Sequence, residues 1–221
     1  MLSTESVWSR AGSDQRDEIS AHLFNIVIGL TLLWGFAANY FIVQSLDPMW
    51  VMSLGMWPLM IGYIVCALAG TYIYTSSDSA MVSFLGYNLV VIPIGVILTP
   101  LMYSVDPQII EKAILATGAV TSTMMLLGST YPAFFLSIGR TLFIALIILI
   151  IVQVGMMFMG MHEPTWIDWI ATGIFSGYIG FDWARANALP KTLDNAVDSA
   201  ASLYIDIINL FIRLLSIMSK R

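Results

Sequence analysis

The sequence predicts an all-α membrane protein with seven transmembrane helices. Three observations carry that expectation. Of 221 residues, 58% are hydrophobic and only 10% are charged, whereas a soluble domain carries about 25% charged residues. No Lys or Arg occurs between Asp17 and Glu111. Water could not solvate such a surface, so the surrounding solvent is lipid. The apolar residues also fall in runs of about 20, the length that spans a bilayer at about 1.5 Å rise per residue. The mean hydropathy of +0.84 agrees.

The same arithmetic excludes other classes. A net charge of −5 offers no basic patch, so nucleic acid is not a partner. Cys66 is alone, which excludes a disulfide scaffold. Period-2 alternation is absent, which excludes a transmembrane barrel.

Each span follows from its punctuation. A polar leader over 1–21 holds Arg10, Asp14, Arg16, Asp17 and Glu18, and no small-residue cleavage site follows it, so no signal peptide is read. The first span covers 22–46. The second, 50–74, runs to the turn Thr75-Ser76-Ser77-Asp78. The third, 80–103, closes at Asp106-Pro107 and contains Pro93 and Pro100, which predict a kink. The fourth, 109–130, ends at Tyr131-Pro132, and the fifth, 138–161, at His162-Glu163-Pro164. The sixth covers 166–183, where Gly173, Gly177 and Gly180 form one small-residue face suited to close helix packing. A polar loop over 185–195 leads to the seventh span, 196–218. A single membrane domain, 22–218, and a short basic tail, 219–221, complete the chain. The Lys/Arg bias favours a cytoplasmic amino terminus, since Arg10, Arg16, Arg140, Arg185 and Lys191 then lie inside. Seven spans place Arg213, Lys220 and Arg221 outside, against that bias.

The seventh span is the informative one. Asp198, Ser202, Asp206, Asn209 and Arg213 are separated by 4, 4, 3 and 4 residues. At about 100° per residue they fall at roughly 0, 40, 80, 20 and 60°, one narrow stripe. Asp or Arg near a helix centre costs about 2.5–3.5 kcal/mol on insertion scales. This helix therefore belongs inside the bundle, its stripe turned toward other helices or a water-filled cavity. An intramembrane carboxylate points to an ion or proton path, and Asp206 is the candidate. Its partner is Asp182, at the end of the preceding span. Two carboxyls at hydrogen-bond distance cannot both ionise cheaply, so they share a proton and form a pH-sensitive latch. Asp198, near the helix start, reads more simply as solvated or as support for the helix amino terminus.

These residues resemble the Bax inhibitor-1 family. The resemblance rests on Ser176-Gly177-Tyr178-Ile179-Gly180-Phe181-Asp182 and, 24 residues after Asp182, Asp206 within Ser202-Leu203-Tyr204-Ile205-Asp206-Ile207-Ile208-Asn209-Leu210-Phe211. Gly139-Arg140-Thr141-Leu142-Phe143-Ile144-Ala145-Leu146-Ile147 is similar to that family's fifth helix. The resemblance implies seven helices with the last one wrapped by the other six, and a pH-dependent calcium leak sensed by Asp182 and Asp206. It also implies an alternative: a non-conducting regulator that binds other membrane proteins, in cell-death or membrane-protease modulation. Leak channels of the family carry an arginine near the end of the second helix that latches the aspartates. Here that stretch has Cys66 and Thr75-Ser76-Ser77-Asp78 and no basic residue, leaving Arg140, Arg185 and Arg213 as candidate substitutes.

Enzymatic readings fare poorly. Aspartyl intramembrane proteases use a Gly-x-Gly-Asp motif that does not occur here, and Gly173-Ile174-Phe175-Ser176-Gly177 lacks nucleophile-elbow spacing. His162-Glu163 lacks a second histidine at helical spacing, so no metal site is expected, and no cofactor is implied. The expected partners are the lipid bilayer, calcium or protons, and a candidate membrane protein. The expected location is a bacterial inner membrane.

Overall fold

The computed structural model describes residues 18–161 and 163–220. The leader residues Arg10, Asp14, Arg16 and Asp17, together with His162 and Arg221, lie outside the described residues. Among the described residues the chain forms eight helices and no strand: α1 (Ala21–Ser45), α2 (Pro48–Ser53), α3 (Met56–Ser76), α4 (Ala80–Tyr103), α5 (Pro107–Thr130), α6 (Pro132–Phe158), α7 (Thr165–Ala188) and α8 (Leu193–Ser219).

Local chemistry sets the boundaries. Ser20 caps α1 through a hydrogen bond from the Leu23 amide, and Thr192 caps α8 through the Asn195 amide. Asp47 and Asp106 accept from the amides two residues on, each followed by a proline whose missing N–H costs nothing in a first turn. The expected second span is divided. Gly55 adopts φ +80°, a conformation that favours glycine, and separates the short α2 from α3. Tyr131 ends α5 and begins α6 directly, so α6 starts at Pro132, six residues before the expected position. The expected polar loop over 185–195 is also shorter: α7 continues to Ala188 and α8 begins at Leu193. Hydropathy falls at Arg185, but a basic residue in a last turn suits the helix dipole. α4 is continuous through Pro93 and Pro100.

Among the described residues, six helices are long and apolar enough to cross a membrane: α1, α3, α4, α5, α6 and α8. The seventh long helix, α7, carries Asp168, Asp182 and Arg185 among Gly, Ser and Thr, and is too polar to qualify. It nonetheless runs the length of the bundle. At one end, Trp183 Nε1 donates to Ser129 Oγ at 2.7 Å, Ser83 Oγ to Asp194 Oδ1 at 2.7 Å, and the Ile19 amide to the Lys191 carbonyl at 2.7 Å. These bonds gather the start of α1, the α3–α4 and α5–α6 turns and the α7–α8 turn. At the other end, the Lys220 ammonium reaches the Glu163 carbonyl at 3.1 Å, and the Trp57 and Phe158 rings meet.

The C-terminal helix is central, as expected. Sixteen of its residues are buried, against two each on α3 and α6. It packs on α1, α4, α5 and α7. The expectation of six wrapping helices is corrected: α3 packs chiefly on α4, and α6 chiefly on α7, so both lie on the outside with most side chains exposed. In a bilayer those faces contact lipid.

Gly177 and Gly180 of α7 face α5 and α6. A Cβ on Gly177 would lie 2.8 Å from Leu142 Cδ2, and one on Gly180 would collide with the Phe135 ring. Gly128 of α5 meets the Gly180 backbone, since its Cβ would stand 2.6 Å from the Gly180 oxygen. Gly173 has nothing within 4 Å of such an atom. Gly128→Ala should therefore destabilise the bundle by about 1–3 kcal/mol, while Gly173→Ala leaves it unchanged. Thermal unfolding of the purified protein in detergent micelles reads both. Equal melting temperatures for the two variants would contradict the close approach.

Candidate functional site

Helices α7 and α8 are antiparallel and joined by four residues, so polar groups on their facing sides meet at intervals. Asp182, six residues before the end of α7, meets Asp206 of α8, and the two carboxyls are within hydrogen-bonding reach. Both are buried, at 9% and 6% exposure. α7 is helical through Asp182 and extends beyond it by more than a turn. Arg185, one turn on, places Nη1 3.5 Å from Asp182 Oδ1. Tyr178, one turn back, is within electrostatic reach of both carboxyls.

The polar stripe of α8 is divided among its neighbours. Asp206 turns to Asp182. Ser202 faces the Tyr74 phenol on α3, which also lies within electrostatic reach of Asp182 and Asp198. Asn209 Nδ2 donates to its own helix at the Ile205 carbonyl, 2.8 Å away. Arg213 leaves the pair altogether: its Nη1 contacts Glu163 Oε1 at 2.9 Å and Asp168 Oδ1 at 3.1 Å. Of the three arginines considered as substitutes for a second-helix latch, only Arg185 therefore has an ion pair with either aspartate. Arg140 is exposed on α6.

A second charged cluster stands at the opposite end of α7 and α8. Asp168 is fully buried and receives Arg213, Lys220 Nζ at 2.8 Å and Ser216 Oγ at 2.9 Å. Glu163 is held by Arg213 and by Gln153 of α6. Opposite charges in contact compensate for desolvation, and hydrogen bonds complete the carboxylate shell. Asp168 was not among the residues singled out from sequence. Its signal is its spacing of 14 residues from Asp182, which places the two within about 40° on α7.

The α7–α8 turn is fixed by Lys191. Its Nζ donates to the Ala186 and Asn187 carbonyls at 2.9 and 2.8 Å and lies 4.6 Å from the centre of the Phe24 ring. It thus satisfies the orphan carbonyls of α7 and ties the turn to α1. Burial lowers the pKa of this ammonium from the ordinary lysine value. A further hydrogen-bonded group surrounds Tyr204 of α8, which accepts from Asn39 Nδ2 of α1 and meets the Tyr87 ring edge-on at 5.4 Å.

An all-helical bundle with several apolar spans and buried charges between its helices defines an integral multi-pass membrane protein. The chain belongs to the Bax inhibitor-1 family: residues 18–221 match the family model described as Inhibitor of apoptosis-promoting Bax1. A protein of Helicobacter pylori is 32% identical over 131 residues, 56% of this chain and 55% of that protein. Protein LIFEGUARD 1 of Arabidopsis thaliana is 32% identical over 122 residues, 50% of this chain and 51% of its own. A Campylobacter jejuni protein is 29% identical over 130 residues. The chain spans about half the length of these curated relatives.

The charged cluster at Asp168 has a direct test. Asp168→Ala leaves Lys220 and Arg213 short of a buried partner and should cost about 3–5 kcal/mol of stability. Glu163→Gln, at a side chain 35% exposed, should cost at most about 1 kcal/mol. Unfolding curves in detergent compare the two, and an equal loss would contradict the assignment.

Proposed function

We propose that this protein is a proton-sensitive cation leak, favouring calcium, gated by the Asp182–Asp206 pair. The observation that carries the reading is the meeting of two buried carboxyls between α7 and α8. In a low-dielectric interior such a pair holds one proton in common. Loss of that proton sets like charges against each other and loosens α7 from α8. Oxygen ligands and negative charge suit a hard divalent cation. Arg185 stands where it can compensate for the ionised pair, and Tyr74 brings α3 to the same region. The function is non-enzymatic, and calcium and protons are the ions served.

In this reading α7 is the seventh span. It tolerates its charges because α5, α6 and α8 pack around it. The amino terminus is cytoplasmic. The ion pairs of Arg213 and Lys220 with Glu163 and Asp168 support this, because they neutralise basic residues that would otherwise count against an external C-terminal end. Relatives in Helicobacter and Campylobacter favour a bacterial inner membrane.

The division of the α8 stripe among separate partners favours a second reading, a non-conducting regulator that binds another membrane protein. Flux measurements separate the two. Purified protein in calcium-indicator vesicles should give a leak that varies with pH, and Asp182→Asn or Asp206→Asn should flatten that dependence. Flux that is the same at every pH in the wild type and both variants would overturn the leak. Recovery of one dominant cross-linked partner from native membranes, without flux, would favour the regulator.

A further inference from the structure

The composition of α6 changes abruptly at its end. From 132 to 155 the helix has no methionine, and Ile144, Ile148 and Ile151 contribute to its exposed face. Four methionines then fall within six residues, 156–161. A general filler of apolar surface has no reason to be absent from the span and concentrated at its end.

The turn that follows gathers these residues. The Gly160 amide donates to the Met157 carbonyl at 3.1 Å and the Met161 amide to the Met156 carbonyl at 3.0 Å, with Gly160 at φ +66°. These are the two hydrogen bonds of a Schellman motif, which sets the third-last helical residue beside the second residue past the cap. Here those positions are Met156 and Met161. Met159, three residues after Met156, shares its side of the helix. Met156 is half-buried against the bundle, whereas Met159 and Met161 are 77% and 57% exposed. The cluster therefore has a seated base and an open side. The Trp57 ring, 6.2 Å from that of Phe158, holds the same last turn against α3. Trp57, Trp166 and Trp169 are all exposed at this end of the bundle, as in an interfacial aromatic belt, so an ion in water can reach the turn.

The donor atoms select the ligand. Thioether sulfur is soft and uncharged, and it suits Cu(I), whereas calcium and magnesium require oxygen. The carboxylates at this end, Glu163 and Asp168, are occupied by Arg213 and Lys220. We infer that the turn after α6 is a binding site for one soft monovalent metal ion, Cu(I), held by the thioethers of Met156, Met159 and Met161. The site is separate from the leak proposed above and holds whether or not the protein conducts.

Competition for copper tests it. The full chain in detergent micelles, carrying Cys66→Ala so that the lone thiol takes no metal, is titrated anaerobically against Cu(I) held by the chromophoric chelator bicinchoninate. The protein should withdraw one Cu(I) per chain, and X-ray absorption at the copper edge should show sulfur neighbours. Met156→Leu, Met159→Leu and Met161→Leu together conserve volume. They should weaken binding by more than about tenfold, since loss of even an outer partner of a metal site costs that much. Met81→Leu, Met124→Leu and Met125→Leu, toward the opposite end, should leave it unchanged. If thermal unfolding shows the first triple variant to be misfolded, Met161→Leu alone, at an exposed position past the helix, is the readout and should also weaken binding. Failure to withdraw Cu(I), equal affinity in the variants lacking these thioethers, or a copper shell without sulfur overturns the inference.

Discussion

Charge placed in hydrocarbon must be compensated by the protein itself, and the architecture of this bundle follows from that constraint. α8 carries Asp198, Asp206 and Arg213 within a stretch that must cross or approach the membrane core. Each would cost several kcal/mol facing lipid. The helix is therefore enclosed, and the helix beside it supplies the groups that face its charges. α7 is polar for the same reason: its Asp168, Asp182 and Arg185 are covered by α5, α6 and α8. The outer helices α3 and α6 have no such duty, and their exposed sides are largely apolar, Arg140 on α6 apart.

The facing sides of α7 and α8 use charge in two opposite ways. At one end Asp168 meets Arg213 and Lys220, an attractive arrangement that fixes the relative position of the helices. Nearer the other end Asp182 meets Asp206, two like groups side by side, with Arg185 next to Asp182. Coulombic terms of opposite sign thus act on one helix pair at separate heights. The attractive end anchors the pair. Between them the glycines of α7 bring α5 and α6 close on the far side.

Much of this was legible in the sequence. Hydropathy located the long apolar helices because a bilayer imposes both length and composition. The pairing of Asp182 with Asp206 followed from adjacency of consecutive antiparallel helices, and the burial of α8 from its charges. Other features left no such trace. A single Gly55 within an apolar run has no hydropathy signature, yet its φ divides α2 from α3. The glycine spacing of α7 defined a face but not its neighbour, which proved to be α5 and α6. The α8 stripe looked like one surface, although residues 40° apart on a helix can turn to different partners. Asp168 gave only a spacing signal, and its partners lie some 50 residues away in sequence.

The polarity of α7 bears also on how the molecule is made. As a seventh span, this helix would emerge from the ribosome before Arg213, Ser216 and Lys220, the groups that satisfy Asp168. Until they follow, its carboxylates have no interior in which to hide. Its residence in the bilayer would then depend on the segment translated after it, and the two helices would be completed as a hairpin. Lys191, already bonded to the end of α7, closes that hairpin at its bend. For a seventh span, biogenesis of this part of the chain would thus be cooperative in time as well as in space.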